Sequence, residues 1–263
     1  VQKRSLQSAG HFGERGGWKL KAVAGHTVLV LIGKTHSPPA QSGKESNMPT
    51  SYIEYDNRED WLAGRKNSIG ASEVSAAVGL NPFMSQLELW EIKTGRKKPK
   101  DLSNVSIVVF GQNAEGLIRD LYMLEHPEFT LEYHPYRVYF QTELPFLTAT
   151  LDGELTRVED GVKGIYEGKT AECTKKAQWE NWNGKVPDHY YTQLCHQLWC
   201  AGTEYQFSVL NAKIKGLNGD SSLRSYEYNR EMMEADIEWL VTEAEKFWWY
   251  VKEDKKPPLS LKL

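Results

Sequence analysis

"TATLDGELTRVEDGVKGIYEGKTAEC", residues 148–173, holds two alternating runs joined at Asp160-Gly161. Asp-Gly between two such runs is a strong short-range hairpin signal. If those two residues form the loop, Glu159 faces Val162, Asp152 stands opposite Lys169, and Glu154 stands opposite Glu167. Pleat parity then turns Asp152, Glu154, Glu167 and Lys169 to one face. There Glu167 and Lys169 lie ~6.6 Å apart along the strand, with Asp152 a diagonal neighbour of Glu167 at roughly 7–8 Å. A four-residue loop would shift the register by two and keep the shared face, whereas an odd loop would destroy it.

Carboxylates gathered on one face repel one another, and a hard divalent cation with oxygen ligands is the usual way to stabilise them. Mg²⁺ is the natural ion. It would polarise a phosphoryl oxygen and lower the pKa of a bound water, while Lys169 would hold that water or neutralise charge developing on a phosphate. That is the chemistry of phosphodiester hydrolysis. The rival reading is a solvated salt bridge worth ~0–1 kcal/mol, and on the E-x-K spacing alone it is the one to prefer.

Upstream of the hairpin the pattern is helical. "SIGASEVSAAVGLNPF" (68–83) suggests a helix capped by Ser72 and stopped at Gly79 and Asn81-Pro82. "SQLELWEIKTG" (85–95) repeats that grammar, with Ser85 and Glu88 at capping-box spacing and Gly95 as the stop. A third helix runs from about Ser106, its expected apolar stripe being Phe110, Ala114, Leu117, Leu121 and Leu124, with Glu115 beside it. "FTLEYHPYRVYF" (129–140) reads as strand. Downstream, "PDHYYTQLCHQLWCAG" (187–202) returns to helix, and "EYQFSVLNAKI" and "SLRSYEYN" are two more strands. The long terminal helix is capped by Asn229, with Met232, Ile237, Leu240, Ala244 and Trp248 on or near its buried side. Helices leading into an antiparallel core crossed by a further helix make an α+β or mixed α/β layer fold.

The remaining composition sets limits. At 263 residues and 30.1 kDa, with 40% hydrophobic and 25% charged residues, the chain is an ordinary globular one, read here as one main domain over 48–263. Residues 1–47, rich in Gly, Ser and Lys, are read as a poorly ordered extension, with Met48 as the expected biological start. No apolar run approaches the ~20 residues of a membrane span. Cys173, Cys195 and Cys200 form no C-x-x-C pair, and an odd number argues against a disulfide framework, so a reducing cytosol fits best. A net charge of −3 requires any polyanion to be met by locally clustered cations. "KTGRKKPK" (93–100) is one such cluster, although basic turns are usually just solvated. Trp179, Trp182, Trp199, Trp248 and Trp249 suit base stacking, although aromatics at helical spacing more often fill a core. His189 and His196 with Cys195 and Cys200 match no zinc spacing.

The ordered blocks "SIGASEV", "GLNPF", "LELWEIKTG", "GQNAEGLIRDLY", "TATLDGE", "YEGKTA" and "PDHYYTQLCHQLWCAG" resemble the YqaJ-like viral recombinase family, to which the phage lambda exonuclease is related. The resemblance covers about Arg65 to Ala212 and implies the PD-(D/E)XK nuclease fold, a mixed sheet flanked by helices. It implies that Asp152, Glu167, Glu115 and the Gly168 carbonyl hold up to two Mg²⁺ (or Mn²⁺) ions, that Lys169 is the catalytic lysine, and that Gln193 stands near the metals. Tyr190, one helical turn before Gln193, shares its face and is expected to bind DNA. Arg65 and Ser72 match positions that bind the phosphate of a DNA end, as a hydroxyl and N–H groups at a helix N-terminus with a bidentate Arg would. Read blandly, Ser72 is only a cap, Arg65 a surface charge, and Tyr190 and Gln193 packing. Two departures stand out: residues 1–47 lie outside the family pattern, and Cys195 occupies a helix position that is polar in some relatives.

The resemblance implies an exonuclease of phage recombination acting in a bacterial host's cytoplasm. It would digest linear double-stranded DNA 5′ to 3′, leave 3′ single strands for an annealing protein, and work as a homo-oligomeric ring such as a trimer. A RecB-type repair nuclease is the enzymatic rival. A CRISPR-associated iron–sulfur nuclease needs four cluster cysteines where this chain has three. From another class comes a catalytically idle DNA-binding or anti-defence protein on the same fold.

Overall fold

A computed structural model describes residues 21–23, 26–28, 51–216 and 218–258. The chain divides into two units, residues 1–46 and 47–263. In the first, β1 (Lys21–Val23) and β2 (His26–Val28) form an antiparallel pair with Lys21 opposite Val28. The extension expected over residues 1–47 otherwise lies outside the described residues.

The second unit opens with β3 (Ser51–Glu54), α1 (Arg58–Gly64), β4 (Ile69–Gly70), α2 (Val74–Ala77), α3 (Gln86–Lys93) and α4 (Ser106–Glu125). Five strands follow, β5 (Phe129–Glu132), β6 (Arg137–Phe140), β7 (Leu147–Ala149), β8 (Gly153–Arg157) and β9 (Lys163–Glu172). Then come α5 (Lys176–Glu180), α6 (Asp188–Ala201), β10 (Tyr205–Lys215), β11 (Ser221–Asn229) and α7 (Arg230–Lys252).

The strands make two mixed sheets rather than one. The larger has the order β11-β10-β9-β8-β5, with β9 and β10 parallel and every other pair antiparallel. A parallel pair needs a long crossover, and α5 with α6 supplies it. The smaller sheet has the order β3-β6-β7-β4, with β4 and β7 parallel. "FTLEYHPYRVYF" therefore splits into β5 and β6, one in each sheet. The chain crosses back between the sheets at Thr150–Asp152, where β7 ends and β8 begins. Strands that turn a corner from one sheet into another are a standard way to join layers.

Helix α4 packs against β5, β9 and β10, while α6 packs against β6, β7, β9 and β10 and is backed by α7. Strand β9 is thus covered on both faces, and Gly164 to Gly168 are all buried. Its alternation sorts residues between two cores. Ile165 joins Leu194, Leu198 and Leu210 under α6, whereas Tyr166 joins Tyr122, Phe129, Leu155 and Phe207 under α4. Each fully buried aliphatic side chain of the α6 core contributes about 1.5–3 kcal/mol of burial.

Several local expectations hold. Ser85 accepts from the Glu88 N–H at 3.1 Å to cap α3, Gly95 and Gly202 follow the ends of α3 and α6, and Asn229 takes the N-cap position of α7, though without a side-chain cap hydrogen bond. Others are corrected. Ser72 caps nothing: α2 is a single turn with Glu73 at its N-cap, and Ser72 sits exposed in the turn before it. Of the stripe expected on α4, Ala114 alone faces the core. Ala114, Ile118 and Tyr122 are buried, while Leu117 and Leu124 are 71% and 80% exposed, and Phe110 and Leu121 are also exposed. Apolar residues occupy two neighbouring faces of that helix, and periodicity cannot say which of them meets a sheet. Similarly, Met233 rather than Met232 is buried under α7.

The hairpin loop has four residues, not two. The Arg157 N–H donates to the Val162 carbonyl at 2.9 Å, closing residues 158–161, with Gly161 at φ 72°, a left-handed conformation that glycine adopts freely. Thr156 pairs with Lys163 and Gly153 with Tyr166. Carried one residue further, that register sets Asp152 across from Glu167 instead of Lys169. Parity is unchanged, so the shared face survives.

Candidate active site

The site lies where β8 gives out. Strand β9 runs on to Glu172, while its partner begins only at Gly153, so the edge of β9 beyond Tyr166 is not covered by β8. Asp152 sits at that corner, and its Oδ2 accepts the Gly168 N–H at 3.0 Å. Its backbone carbonyl accepts from Arg119 of α4 at 2.9 Å, and Arg119 in turn stacks on Tyr133 with its guanidinium carbon 3.9 Å from the ring centre. Trp61 and Gln197 hold the neighbouring Thr150, at 3.0 Å on its hydroxyl and 3.4 Å on its carbonyl. Three helices thus fix the corner on which Asp152 stands.

Glu167 is buried against α6. Gln193 and Gln197, one helical turn apart, each donate an amide N–H to it at 2.5 Å, to Oε1 and Oε2 respectively, and the Lys169 ammonium donates to Oε1. Desolvation works against the Lys169 charge, but Glu167 and Asp152 outweigh it and hold the ammonium above the ordinary lysine value. Lys169 thus stands as a hydrogen-bond donor and a positive charge beside Glu167. Burial, and then repulsion from Glu167, push the Asp152 carboxyl up to about 8 from 3.8. The same two causes raise Glu115, which reaches the cluster from α4 one turn before Arg119, with Lys169 and Arg119 opposing the rise.

Tyr190 lies under Lys169, with Nζ 5.5 Å from the ring centre, and burial raises its hydroxyl pKa. The structure therefore brings Asp152, Glu167, Gly168, Lys169, Gln193, Tyr190 and Glu115 into one neighbourhood. Arg65 and Ser72 form a separate group around β4. The Arg65 guanidinium lies 4.4 Å over Trp61 beside Glu73, and burial depresses its pKa. It reaches Gly70, where a Cβ would stand 2.7 Å from Arg65 Nη2 and the guanidinium would have to shift. Among the described residues no hydrogen bond or ion pair joins Arg65 or Ser72 to the carboxylates.

Glu154 shares the face of Glu167 by parity but belongs to another network. It accepts from the Tyr139 and Tyr205 hydroxyls and from Arg137 at 3.1 Å, tying the larger sheet to β6 of the smaller one. The basic turn is largely neutralised at home: Lys93 pairs with Glu73, Arg96 with Asp254, and Lys97 and Lys100 with Glu88. Trp182 and Trp248 are core residues, and all three cysteines are buried and free. His196 is buried at the Thr148 carbonyl, and desolvation lowers its pKa to about 4.

Sequence reasoning missed Gln197 and Arg119. Both stand four residues after a residue that had been singled out, Gln193 and Glu115, and that helical spacing was the available signal.

The donor set suits a hard divalent cation: two carboxylates across the end of one strand pair and a third from α4. Gln197 also leaves its Oε1 buried with no hydrogen-bond partner beside Glu167, an acceptor that a cation's hydration water would satisfy. Among the described residues no three His, Cys, Asp or Glu side chains already converge as a ligand shell, because Glu167 is turned onto its amides and Lys169.

Residues 60–204 match the YqaJ-like viral recombinase domain. The chain belongs to that family. This YqaJ-like domain is 29% identical over 173 residues to uncharacterized protein YqaJ of Bacillus subtilis (strain 168), a match covering 61% of this chain and 47% of that protein. The chain thus spans about half the length of the curated relative it matches. Among solved structures it is similar to an alkaline exonuclease (LHK-Exo) from Laribacter hongkongensis, with TM-score 0.53 and 18% identity over 75% of this chain and 94% of that one. LHK-Exo in complex with dAMP matches at TM-score 0.52 and 17% identity over the same shares. These likenesses establish the fold, a mixed α/β core flanked by helices. No helix among the described residues is long and apolar enough to cross a membrane.

Proposed function

We propose that this protein is a divalent-metal-dependent deoxyribonuclease that digests linear double-stranded DNA from its ends, 5′ to 3′, as an exonuclease of phage recombination. The observation that carries the reading is the constellation at the open edge of β9: Glu167 and Lys169 two residues apart on one strand, with Asp152 across from Glu167 and Glu115 arriving from α4. Membership of a recombinase family and a fold shared with an alkaline exonuclease support it.

Asp152, Glu167, Glu115 and the Gly168 carbonyl would hold up to two Mg²⁺ ions, with Mn²⁺ as an alternative. Once bound, the metal supplies Lewis acidity toward a phosphoryl oxygen and a more acidic water. The chain's own groups do the rest. Lys169, already protonated, hydrogen-bonds the attacking water and faces the negative charge that grows on the phosphate. Gln193 and Gln197 hold the Glu167 carboxylate in a fixed plane. Arg65, stacked on Trp61, receives the terminal phosphate with Ser72, and Tyr190, beneath the Lys169 ammonium, contacts the DNA. We place the activity in the cytoplasm, in a homo-oligomeric ring that hands 3′ single strands to an annealing protein.

The test uses linear duplex DNA labelled at either the 5′ or the 3′ end, with and without Mg²⁺, beside a closed circle. Early Mg²⁺-dependent loss of 5′ label with the circle intact is the expected result. Binding without degradation under any divalent metal would mean that the clamp on Glu167 is the whole story and that the fold has been kept for holding DNA.

A further inference from the structure

Helix α7 carries a second row of side chains on its outer side. Met233, Ile237, Leu240, Ala244, Phe247 and Trp248 face the core. Met232, Ala235, Trp239, Thr242, Lys246 and Trp249 are all exposed, and they follow one another in alternating steps of three and four residues. With 3.6 residues to the turn, this row lies away from the core and runs for about 26 Å. Met232, Trp239 and Trp249 are 77%, 47% and 46% exposed. Alternating steps of that kind make the seam along which one helix packs on another.

The polar members do not interrupt the seam. Thr242 donates its hydroxyl to the Glu238 carbonyl at 2.9 Å, and Lys246 turns its ammonium onto Glu243 at 2.6 Å, which leaves its stem along the row. Trp249 is braced by the edge of Tyr250 at 5.1 Å and by the Lys255 ammonium at 4.7 Å. Single exposed apolar residues are ordinary. Large ones in heptad register with small ones between them are a different matter.

The flanks say what covers the seam. Glu231, Glu238 and Glu245 stand one heptad apart along one side, with Asp236 and Glu243 along the other. Asp236 is taken by the Tyr191 hydroxyl and Glu243 by Lys246. Glu231, Glu238 and Glu245 are exposed, and among the described residues no cation pairs with them. In a pair of identical helices, parallel or antiparallel, acidic flank would meet acidic flank, so a second copy of this chain is repelled. The same charges repel DNA and anionic lipid.

We propose that this face docks an amphipathic helix of a partner protein, its apolar seam laid along Met232, Trp239 and Trp249 and its flank carrying Lys or Arg opposite Glu231, Glu238 and Glu245. The inference does not depend on the nuclease reading, since it uses no residue of the reactive cluster.

Two fluorescein-labelled helical peptides of three heptads serve as probes, both with Leu at the seam, one with Lys and its twin with Glu on the flanks. Their binding to the full chain is read by fluorescence anisotropy. The Lys peptide should bind on the order of tenfold more tightly than its twin, the scale of three exposed ion pairs. Trp239→Glu should weaken it by a similar factor. The triple variant Glu231→Lys, Glu238→Lys, Glu245→Lys should prefer the Glu peptide. A second triple variant with the same net charge, Glu59→Lys, Glu125→Lys, Glu159→Lys, alters exposed carboxylates outside α7 and should keep the preference for the Lys peptide. Circular dichroism checks that each variant is folded.

Equal affinity for the two peptides, no binding of either, full affinity in folded Trp239→Glu, or the same response from both triple variants overturns the proposal. Self-association of the wild type that Trp239→Glu abolishes would give the seam to a second copy and overturn it too.

Discussion

Replacing Asp152 by Asn should make the metal-free protein more stable and end its activity. The Asp152 carboxyl has its pKa pushed up to about 8 from 3.8, by burial and then by Glu167. A carboxyl whose folded-state pKa lies above its unfolded value favours the fold while both states are protonated, below about pH 4, and that advantage is lost as pH rises through about 8. Above that, the wild-type protein carries the full cost of a charge that the neutral amide never acquires. At about 1.36 kcal/mol per tenfold in proton affinity the ceiling is about 6 kcal/mol. The carboxyl is partly open to solvent and retains the Gly168 N–H, so about 1–3 kcal/mol is the expected gain at pH 9. An Asn carbonyl can accept that N–H, and the shape of the corner is kept.

The assay is urea unfolding in EDTA at pH 4.5 and pH 9. The two proteins should nearly coincide at the lower pH and separate at the higher one, with Asp152→Asn the more stable. Adding Mg²⁺ at pH 9 should close the gap by stabilising only the wild type. A variant less stable than wild type at pH 9, or a gap that does not change with pH, would refute the electrostatic account of this corner.

Lys169→Ala should abolish cutting while leaving DNA binding largely intact, measured by end-label release beside a gel-shift titration; normal turnover would overturn the site assignment. Gln197→Leu strips a fully buried carboxylate oxygen of its donor and should lower stability by about 1.5–3 kcal/mol in urea titration, with cutting reduced even where the protein is fully folded. Glu154→Ala leaves two tyrosine hydroxyls without their acceptor at the junction of the sheets and Arg137 with Glu54 as its remaining carboxylate, so about 2–4 kcal/mol of stability should go. Because Glu154 belongs to that strut and not to the reactive cluster, the residual folded protein at low temperature should cut at a normal rate.

What the order of amino acids dictated by itself is local. Asp160-Gly161 called for a tight turn, alternation called for two strands, and an even loop of either length put Asp152, Glu167 and Lys169 on one face, because a strand's side chains repeat every two residues. Ser85, Gly95 and Gly202 marked helix ends for reasons of backbone bonding that need no distant partner. Other features were decided only when distant segments met. The loop length set Asp152 across from Glu167 and not Lys169. The split into two sheets sent Glu154 to Tyr139 and Tyr205 instead of a metal. On α4 two adjacent faces are apolar, and contact with β9 and β10 chose the one bearing Ala114, Ile118 and Tyr122. Helix α6 supplied Gln197, four residues from Gln193 on the same face. Periodicity reports which residues share a face, but burial free energy depends on what that face is pressed against, and that is a property of the assembled fold.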